Sequence, residues 1–133
     1  MTEEQVELIK YRLEQSESSL KDAEFLLENK RSGSSVINRC YYAIFYSVLA
    51  LLVDQKFIGS KHSGVIAFFD KEFINNGIFH KKYSKIFHKA FDMRVKSDYK
   101  EFIEYPDEKI KLLLSQAKEF VNEIKNFIVK GIK

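Results

Sequence analysis

Residues that interrupt helices are scarce in this chain, which has 1 proline and 5 glycines among 133 residues. Proline and glycine are the residues least compatible with a helix interior, so their scarcity favours long helices. No segment shows the alternation of apolar and polar residues that marks a half-buried strand, and no internal repeat is present. We therefore predict an all-helical protein, and the length suits one domain over residues 1–133.

Cysteine and histidine are also scarce. The single cysteine, Cys40, excludes a disulfide within the chain, and the histidines are scattered at positions 62, 80 and 88. Because zinc sites need several such ligands close together, we expect no metal site, and no cofactor is indicated. A small buried side chain is a better interpretation of Cys40 than a catalytic nucleophile.

A long uninterrupted hydrophobic run is also missing. The most apolar stretch, NRCYYAIFYSVLALL over residues 38–52, is too short and too rich in tyrosine to cross a bilayer. The N-terminus is acidic and amphipathic, unlike a signal peptide, so we expect a cytoplasmic protein without membrane partners. The net charge of +3 is mildly basic and does not by itself demand a nucleic-acid partner.

Apolar residues recur at three- and four-residue steps in five segments, which predicts a five-helix up-and-down bundle. Thr2 and Gln5 have the spacing of a capping box, and Ser34 or Ser35 is suited to cap the second helix. Gly77 and Gly131 are expected just after helix ends. The predicted helices cover residues 2–29, 35–53, 62–75, 80–97, and Pro106 to about 130.

The second predicted helix is apolar almost all round, so it should be covered on most sides. Four short neighbours of a small bundle rarely cover a helix completely. We therefore predict a homodimer in which a second copy covers the region of residues 35–53.

Two arginines interrupt apolar faces. Arg39 stands at the head of the apolar run, and Arg94 continues the apolar face of the fourth helix. Burying a guanidinium is costly without a partner, and Asp98, four residues after Arg94, is the candidate counter-charge. An acid four residues after an arginine, near a helix C-terminus, adds little to its own helix. We therefore interpret Asp98 as the partner of an arginine across the bundle, or as the start of a turn.

Two arginines and one aspartate leave surplus positive charge beside Tyr41, Tyr42 and Tyr46, whose hydroxyls would find partners in that cluster. A phosphate would fit there, so Arg39, Arg94, Tyr42 and Tyr46 are candidate ligand-binding residues. A buried ion-pair network without a ligand is the alternative. His62 is either a phosphate contact or acid/base, or a residue that hydrogen-bonds at the start of the third helix.

Three stretches resemble the HEPN domain family (higher eukaryotes and prokaryotes nucleotide-binding), in particular its small stand-alone UPF0332 branch. They are NRCYYAIFYSVLALL, KHSGVIAFFDKEFINNGIF and AFDMRVKSDY, and the likeness covers roughly residues 5–128. The resemblance implies a helical bundle, a homodimer, and work on RNA or nucleotides. It also implies a toxin whose antitoxin is a minimal nucleotidyltransferase.

The resemblance also implies a catalytic motif, because active HEPN proteins are metal-independent ribonucleases. In their motif, four to six residues separate an arginine from a histidine. In this chain Tyr99, Lys100 and Glu101 occupy the corresponding window after Arg94. We therefore expect an RNA- or nucleotide-binding protein with little nuclease activity. A ribonuclease using Arg94 with Asp98, Tyr99 or His62 as a non-standard acid/base is the alternative. The resemblance also makes Tyr99 a candidate acceptor for adenylylation by the nucleotidyltransferase.

Overall fold

The computed structural model describes residues 1–55, 57, 59, 61–99 and 104–132. Within them the predicted all-α, five-helix fold is confirmed and no strand occurs. Residues 100–103, in the predicted connection before the last helix, lie outside the described residues, as do residues 56, 58 and 60 of the turn around Gly59. The helices are α1 (Glu3–Glu28), α2 (Gly33–Leu51), α3 (His62–Phe69), α4 (Lys81–Tyr99) and α5 (Asp107–Ile132).

The predicted capping box of α1 is confirmed. The backbone N–H of Gln5 donates to Thr2 Oγ1 over 3.1 Å, and the N–H of Thr2 donates to Gln5 Oε1 over 3.0 Å. At α2 the predicted cap is wrong by two or three residues, because Ser32 accepts from the N–H of Ser35. Gly33 enters α2 as its first residue, which moves the cap to the residue before it.

The ends of the other helices differ slightly from the predicted ones. Pro106 lies just before α5, and its carbonyl accepts from the N–H groups of Lys109 and Ile110. Gly131 lies inside α5, one residue before its end. Gly77 has φ 74°, the left-handed conformation expected of a glycine that follows a helix end.

A π-helical turn, Asp70–Ile74, continues α3, so the third predicted helix is present but changes its hydrogen bonding halfway. The N–H of Asn75 donates to the carbonyl of Asp70 over 2.9 Å, five residues back. Such a turn accommodates an extra residue without ending the helix, and π turns are frequent near functional sites.

Helix α2 is the centre of the bundle and packs against α1, α3, α4 and α5. Ser16 of α1 donates a buried hydrogen bond of 2.6 Å to the carbonyl of Ala43, which fixes α1 against α2. Among the described residues, no helix is both long and apolar enough to cross a bilayer. Large fully buried side chains from four helices fill the core: Ile37, Tyr41, Ile44, Phe69, Phe87, Leu113, Phe120 and Ile124.

Candidate functional site

One face of α2 is left partly exposed by the rest of the chain. Arg39, Tyr42, Tyr46 and Leu49 follow one another at three- and four-residue steps, and each is only partly covered. The opposite face carries the buried residues of the core. The uncovered stripe is therefore a polar and aromatic surface on the most apolar helix of the molecule.

Arg94 of α4 reaches this surface and lies against aromatic rings. Its guanidinium carbon is 4.8 Å from the centroid of the Tyr41 ring and 5.8 Å from that of Tyr42. Phe91 contributes a third ring at 5.6 Å. Only 17% of the Arg94 side chain is exposed, so water stabilises its positive charge only in part. The aromatic rings add to that stabilisation through cation–π attraction.

The charge of Arg94 is only weakly neutralised. Its Nη1 atom lies 3.5 Å from Asp98 Oδ2, at the outer limit of a hydrogen bond, and 38% of the Asp98 side chain is exposed. The Nε atom of Arg94 is buried and has no hydrogen-bond partner among the described residues. A long pair whose carboxylate is exposed leaves the guanidinium available to a stronger anion.

The predicted partnership of Asp98 across the bundle is wrong. Asp98 pairs with Arg94 of its own helix, four residues earlier. The reason is that α4 runs on to Tyr99, two residues beyond the predicted end, so Asp98 is still helical and faces the same side as Arg94.

Arg39 lies on the same surface but meets a neutral partner. Its Nε and Nη2 atoms donate to Asn38 Oδ1 over 3.1 and 2.9 Å. Its guanidinium carbon is 5.4 Å from the centroid of Tyr42, so the Tyr42 ring contacts both arginines. Among the described residues, no acidic group pairs with Arg39, although Asp98 lines the same shallow depression.

The Tyr41 hydroxyl is bound by a histidine and not by the arginine cluster, contrary to the prediction for the tyrosines. Tyr41 Oη lies 2.6 Å from His62 Nδ1, and the His62 ring stacks on Phe45 with centroids 4.3 Å apart. Burial, together with the positive charge of Arg94, lowers the pKa of His62. Burial raises the pKa of Tyr41, an effect that Arg94 partly offsets. At neutral pH both groups are therefore uncharged.

The remaining candidates differ in position. The Tyr46 ring is 5.7 Å from that of Tyr42 and extends the aromatic surface along α2. Tyr99, the last residue of α4, is 81% exposed and projects into solvent. Cys40 is fully buried on the core side of α2, where burial raises the pKa of its thiol to about 12. It is unsuited to act as a nucleophile.

Sequence reasoning missed the part played by Tyr41 and the rings beside it. Tyr41 is fully buried, yet its ring touches Arg94 and its hydroxyl holds His62. A tyrosine within the most apolar run of the chain is a signal for such a contact, because its hydroxyl needs a polar partner when it is buried. No group of three or more metal-ligating side chains exists within the described part of the chain.

Fold and site together define an all-helical domain with two arginines held on an aromatic surface. A model of the HEPN domain matches residues 9–127, so the chain belongs to the HEPN domain family. It is similar to a "UPF0332 protein" of Thermotoga maritima, with 38% identity over 94% of each chain.

Two relatives come from Methanocaldococcus jannaschii. "Putative toxin MJ0605" is 37% identical over 85% of this chain and 83% of that protein. "Putative toxin MJ0142" is 32% identical over 88% of this chain and 79% of that protein.

Proposed function

We propose that this HEPN protein binds RNA or a nucleotide through phosphate groups held by Arg39 and Arg94, as part of a toxin–antitoxin pair. The observation that carries the proposal is the two guanidinium groups on the Tyr42 ring, balanced by a single half-exposed aspartate. Phosphate oxygens accept pairs of hydrogen bonds from a guanidinium group. A weakly paired arginine has donors available for these bonds.

The aromatic surface favours a nucleic acid over a free phosphate. The partly exposed rings of Tyr42 and Tyr46 lie beside the arginines, where an unpaired base could stack while its phosphate reaches a guanidinium. Single-stranded RNA offers both groups in alternation. A ribonuclease is the second candidate. It is favoured by the contact of His62 with the Arg94 surface, which is formed by Arg94 and the rings of Tyr41, Tyr42 and Phe91.

RNA binding is tested with a fluorescent single-stranded RNA, by anisotropy at several salt concentrations. Replacing a guanidinium that bonds a phosphate costs about 1.5–3 kcal/mol, or roughly tenfold or more in affinity. We expect this loss for Arg94→Ala and Arg39→Ala, and a partial recovery for Arg94→Lys. Arg12→Ala, which removes the same charge from α1, is the control. Equal affinities of the Arg94→Ala and Arg12→Ala proteins would refute the proposal.

We also propose a minimal nucleotidyltransferase as partner, with Tyr99 as the residue it modifies. The 81% exposure of Tyr99 supports this, because a transferase must reach the hydroxyl. Incubation with ATP and a nucleotidyltransferase encoded beside this chain should add one adenylyl group per protein, measured by mass spectrometry. The addition should be lost in Tyr99→Phe and kept in Tyr11→Phe, which changes another exposed tyrosine. Unchanged modification of Tyr99→Phe would exclude Tyr99 as the acceptor.

A further inference from the structure

Only one of the three histidines contacts the Arg94 surface. His62 shares the Tyr41 ring with Arg94: the two rings stack with centroids 5.6 Å apart, and the guanidinium lies 4.8 Å from the Tyr41 centroid. His80 accepts from the N–H of Lys82, and His88 pairs with Asp70. The fold therefore brings an imidazole from α3 to an arginine of α4, although no histidine follows that arginine at the motif spacing.

The imidazole of His62 is fixed at one nitrogen and free at the other. Tyr41 Oη holds Nδ1 at 2.6 Å, and the ring lies nearly parallel to Phe45, with 12° between their planes. Nε2 has no hydrogen-bond partner within the described residues, and the side chain is partly exposed. A held ring with one free nitrogen is the arrangement that proton transfer to a bound substrate requires.

The partner of Nδ1 suits a group that gains and loses a proton. A hydroxyl can accept as well as donate, so Tyr41 Oη accepts from Nδ1–H in the neutral tautomer whose Nε2 is bare, and it still accepts from Nδ1–H after Nε2 has taken a proton. A carboxylate in this place would favour the imidazolium, and a lysine would oppose it. With Tyr41, His62 can change its protonation state at Nε2 without losing the bond that orients it.

We infer that His62 is the proton-transfer residue of the Arg94 surface, acting on a single-stranded RNA phosphodiester, and that Tyr41 is a positioning residue. This inference rests on the proposed function. It places the acid/base group on a helix other than the one that carries the arginine. Little nuclease activity is expected from the sequence because no histidine follows Arg94 at the motif spacing, and the contact of His62 with the Tyr41 ring favours the alternative that uses His62.

The step that we infer is an internal transesterification. The 2′-oxygen of the ribose forms a bond to the adjacent phosphorus, the P–O5′ bond breaks, and His62 Nε2 takes the 2′ proton. A water molecule gives a proton to O5′, and the hydroxide that remains takes the proton back from His62. The products are a 2′,3′-cyclic phosphate and a 5′-hydroxyl. Arg94 stabilises the negative charge that develops on the phosphoryl oxygens.

The pH dependence follows from the charged and titratable groups that face His62. These are Tyr41 and Tyr42 of α2 and Arg94 of α4. Because the pKa of His62 is lowered, its neutral, proton-accepting form is already dominant at neutral pH. The cleavage rate should therefore rise with pH through a midpoint below 6.5, the ordinary value, and then become constant.

The test measures RNA binding and RNA cleavage separately, with the purified protein and a chelator present. His62→Gln should lose about 10²-fold or more in cleavage rate and keep its affinity for RNA within about twofold. His80→Gln should match the unmodified protein in cleavage rate and in RNA affinity. Tyr41→Phe should cleave more slowly and with a shifted pH midpoint. A 2′-deoxy substitution at the cleaved position should stop the reaction without stopping binding.

Each further outcome has a definite meaning. Binding without cleavage by the unmodified protein, or equal cleavage by His62→Gln and His80→Gln, would overturn the role of His62 and leave the proposed function standing. Absence of RNA binding would overturn both the role of His62 and the proposed function. Since the pH profile of the unmodified protein needs no variant, a midpoint above 6.5 would also refute the inference even if His62→Gln did not fold. Cleavage at an unchanged rate in Arg94→Ala would overturn the inference, because the reaction would then not take place beside Arg94.

Discussion

At the scale of single residues, the main feature is how Arg94 is kept charged inside a mostly apolar surface. Three aromatic rings lie within 6 Å of its guanidinium carbon, while its carboxylate partner is distant and half-exposed. Rings stabilise a cation without occupying its hydrogen-bond donors. The N–H groups of Arg94 therefore remain available to a ligand, whereas a tight ion pair would occupy them.

The same geometry predicts a small stability change for Asp98→Ala. The sequence alone suggested a buried pair, whose disruption costs about 3–5 kcal/mol. A 3.5 Å pair within one helix, with an exposed aspartate, contributes about 1 kcal/mol or less, so urea unfolding of Asp98→Ala should show only that loss. RNA affinity should increase, because a competing carboxylate is removed from Arg94.

Asp92→Ala is the matched control for this prediction. It removes the other Asp–Lys/Arg pair of α4 at the same spacing, Asp92 with Lys96 at 3.0 Å. We expect a similar small loss of stability and a smaller gain in RNA affinity. A loss near 3 kcal/mol for Asp98→Ala would show that the aspartate is a structural partner of the arginine.

At the scale of helices, most of the architecture could be predicted from sequence. The amphipathic segments, the capping box of α1 and the position of Gly77 all follow from periodicity and local hydrogen bonding. The π turn after α3 could not be predicted, because one extra residue scarcely disturbs a 3.6-residue pattern. The contact of Tyr41 with His62 joins residues 21 apart on different helices, and helical periodicity does not encode such a distance.

The close approach of α2 to α5 gives a prediction at this scale. A Cβ atom added at Gly33 would lie 2.6 Å from Ile110 Cδ1, and Ile110 is itself buried. Because Cδ1 ends a side chain that can rotate within limited space, Gly33→Ala should lower the free energy of unfolding by about 1 kcal/mol, at the low end of the usual cost of overpacking.

Gly64→Ala provides the contrast. Its added Cβ would meet only Phe57 Cζ, at 4.0 Å, which is ordinary contact. Because alanine is a better helix former than glycine, Gly64→Ala should raise the free energy of unfolding by about 0.5–1 kcal/mol. Thermal or urea unfolding of both variants gives the comparison. A stabilised Gly33→Ala protein would show that α5 yields easily to α2.

At the scale of the whole molecule, α2 has two roles. Its buried side organises the core, while Arg39, Tyr42, Tyr46 and Leu49 are left partly exposed. The homodimer predicted from the sequence would bring this stripe near a second copy. The two arginine surfaces would then lie close to one another, and an RNA chain could contact both.

The dimer prediction is tested by light scattering at micromolar concentration. We expect a mass of about twice 15.7 kDa. Leu49→Asp, which places a charge on the stripe, should shift the mass toward that of one chain. Leu112→Asp places the same charge on α5, where the leucine is 51% exposed, and should leave the dimer intact. A monomeric mass for the unmodified protein would contradict the prediction.

The burial of Cys40 makes the protein convenient for site-specific labelling. It is the single cysteine of the chain, fully buried, and its thiol is almost entirely protonated near neutral pH. Maleimide reagents are attacked by thiolates, so they should leave the folded chain unlabelled. A cysteine introduced on an exposed helix surface, such as Lys10→Cys on α1, would then carry a fluorophore alone. Energy transfer between two labelled copies could follow their association directly, without first removing the native cysteine.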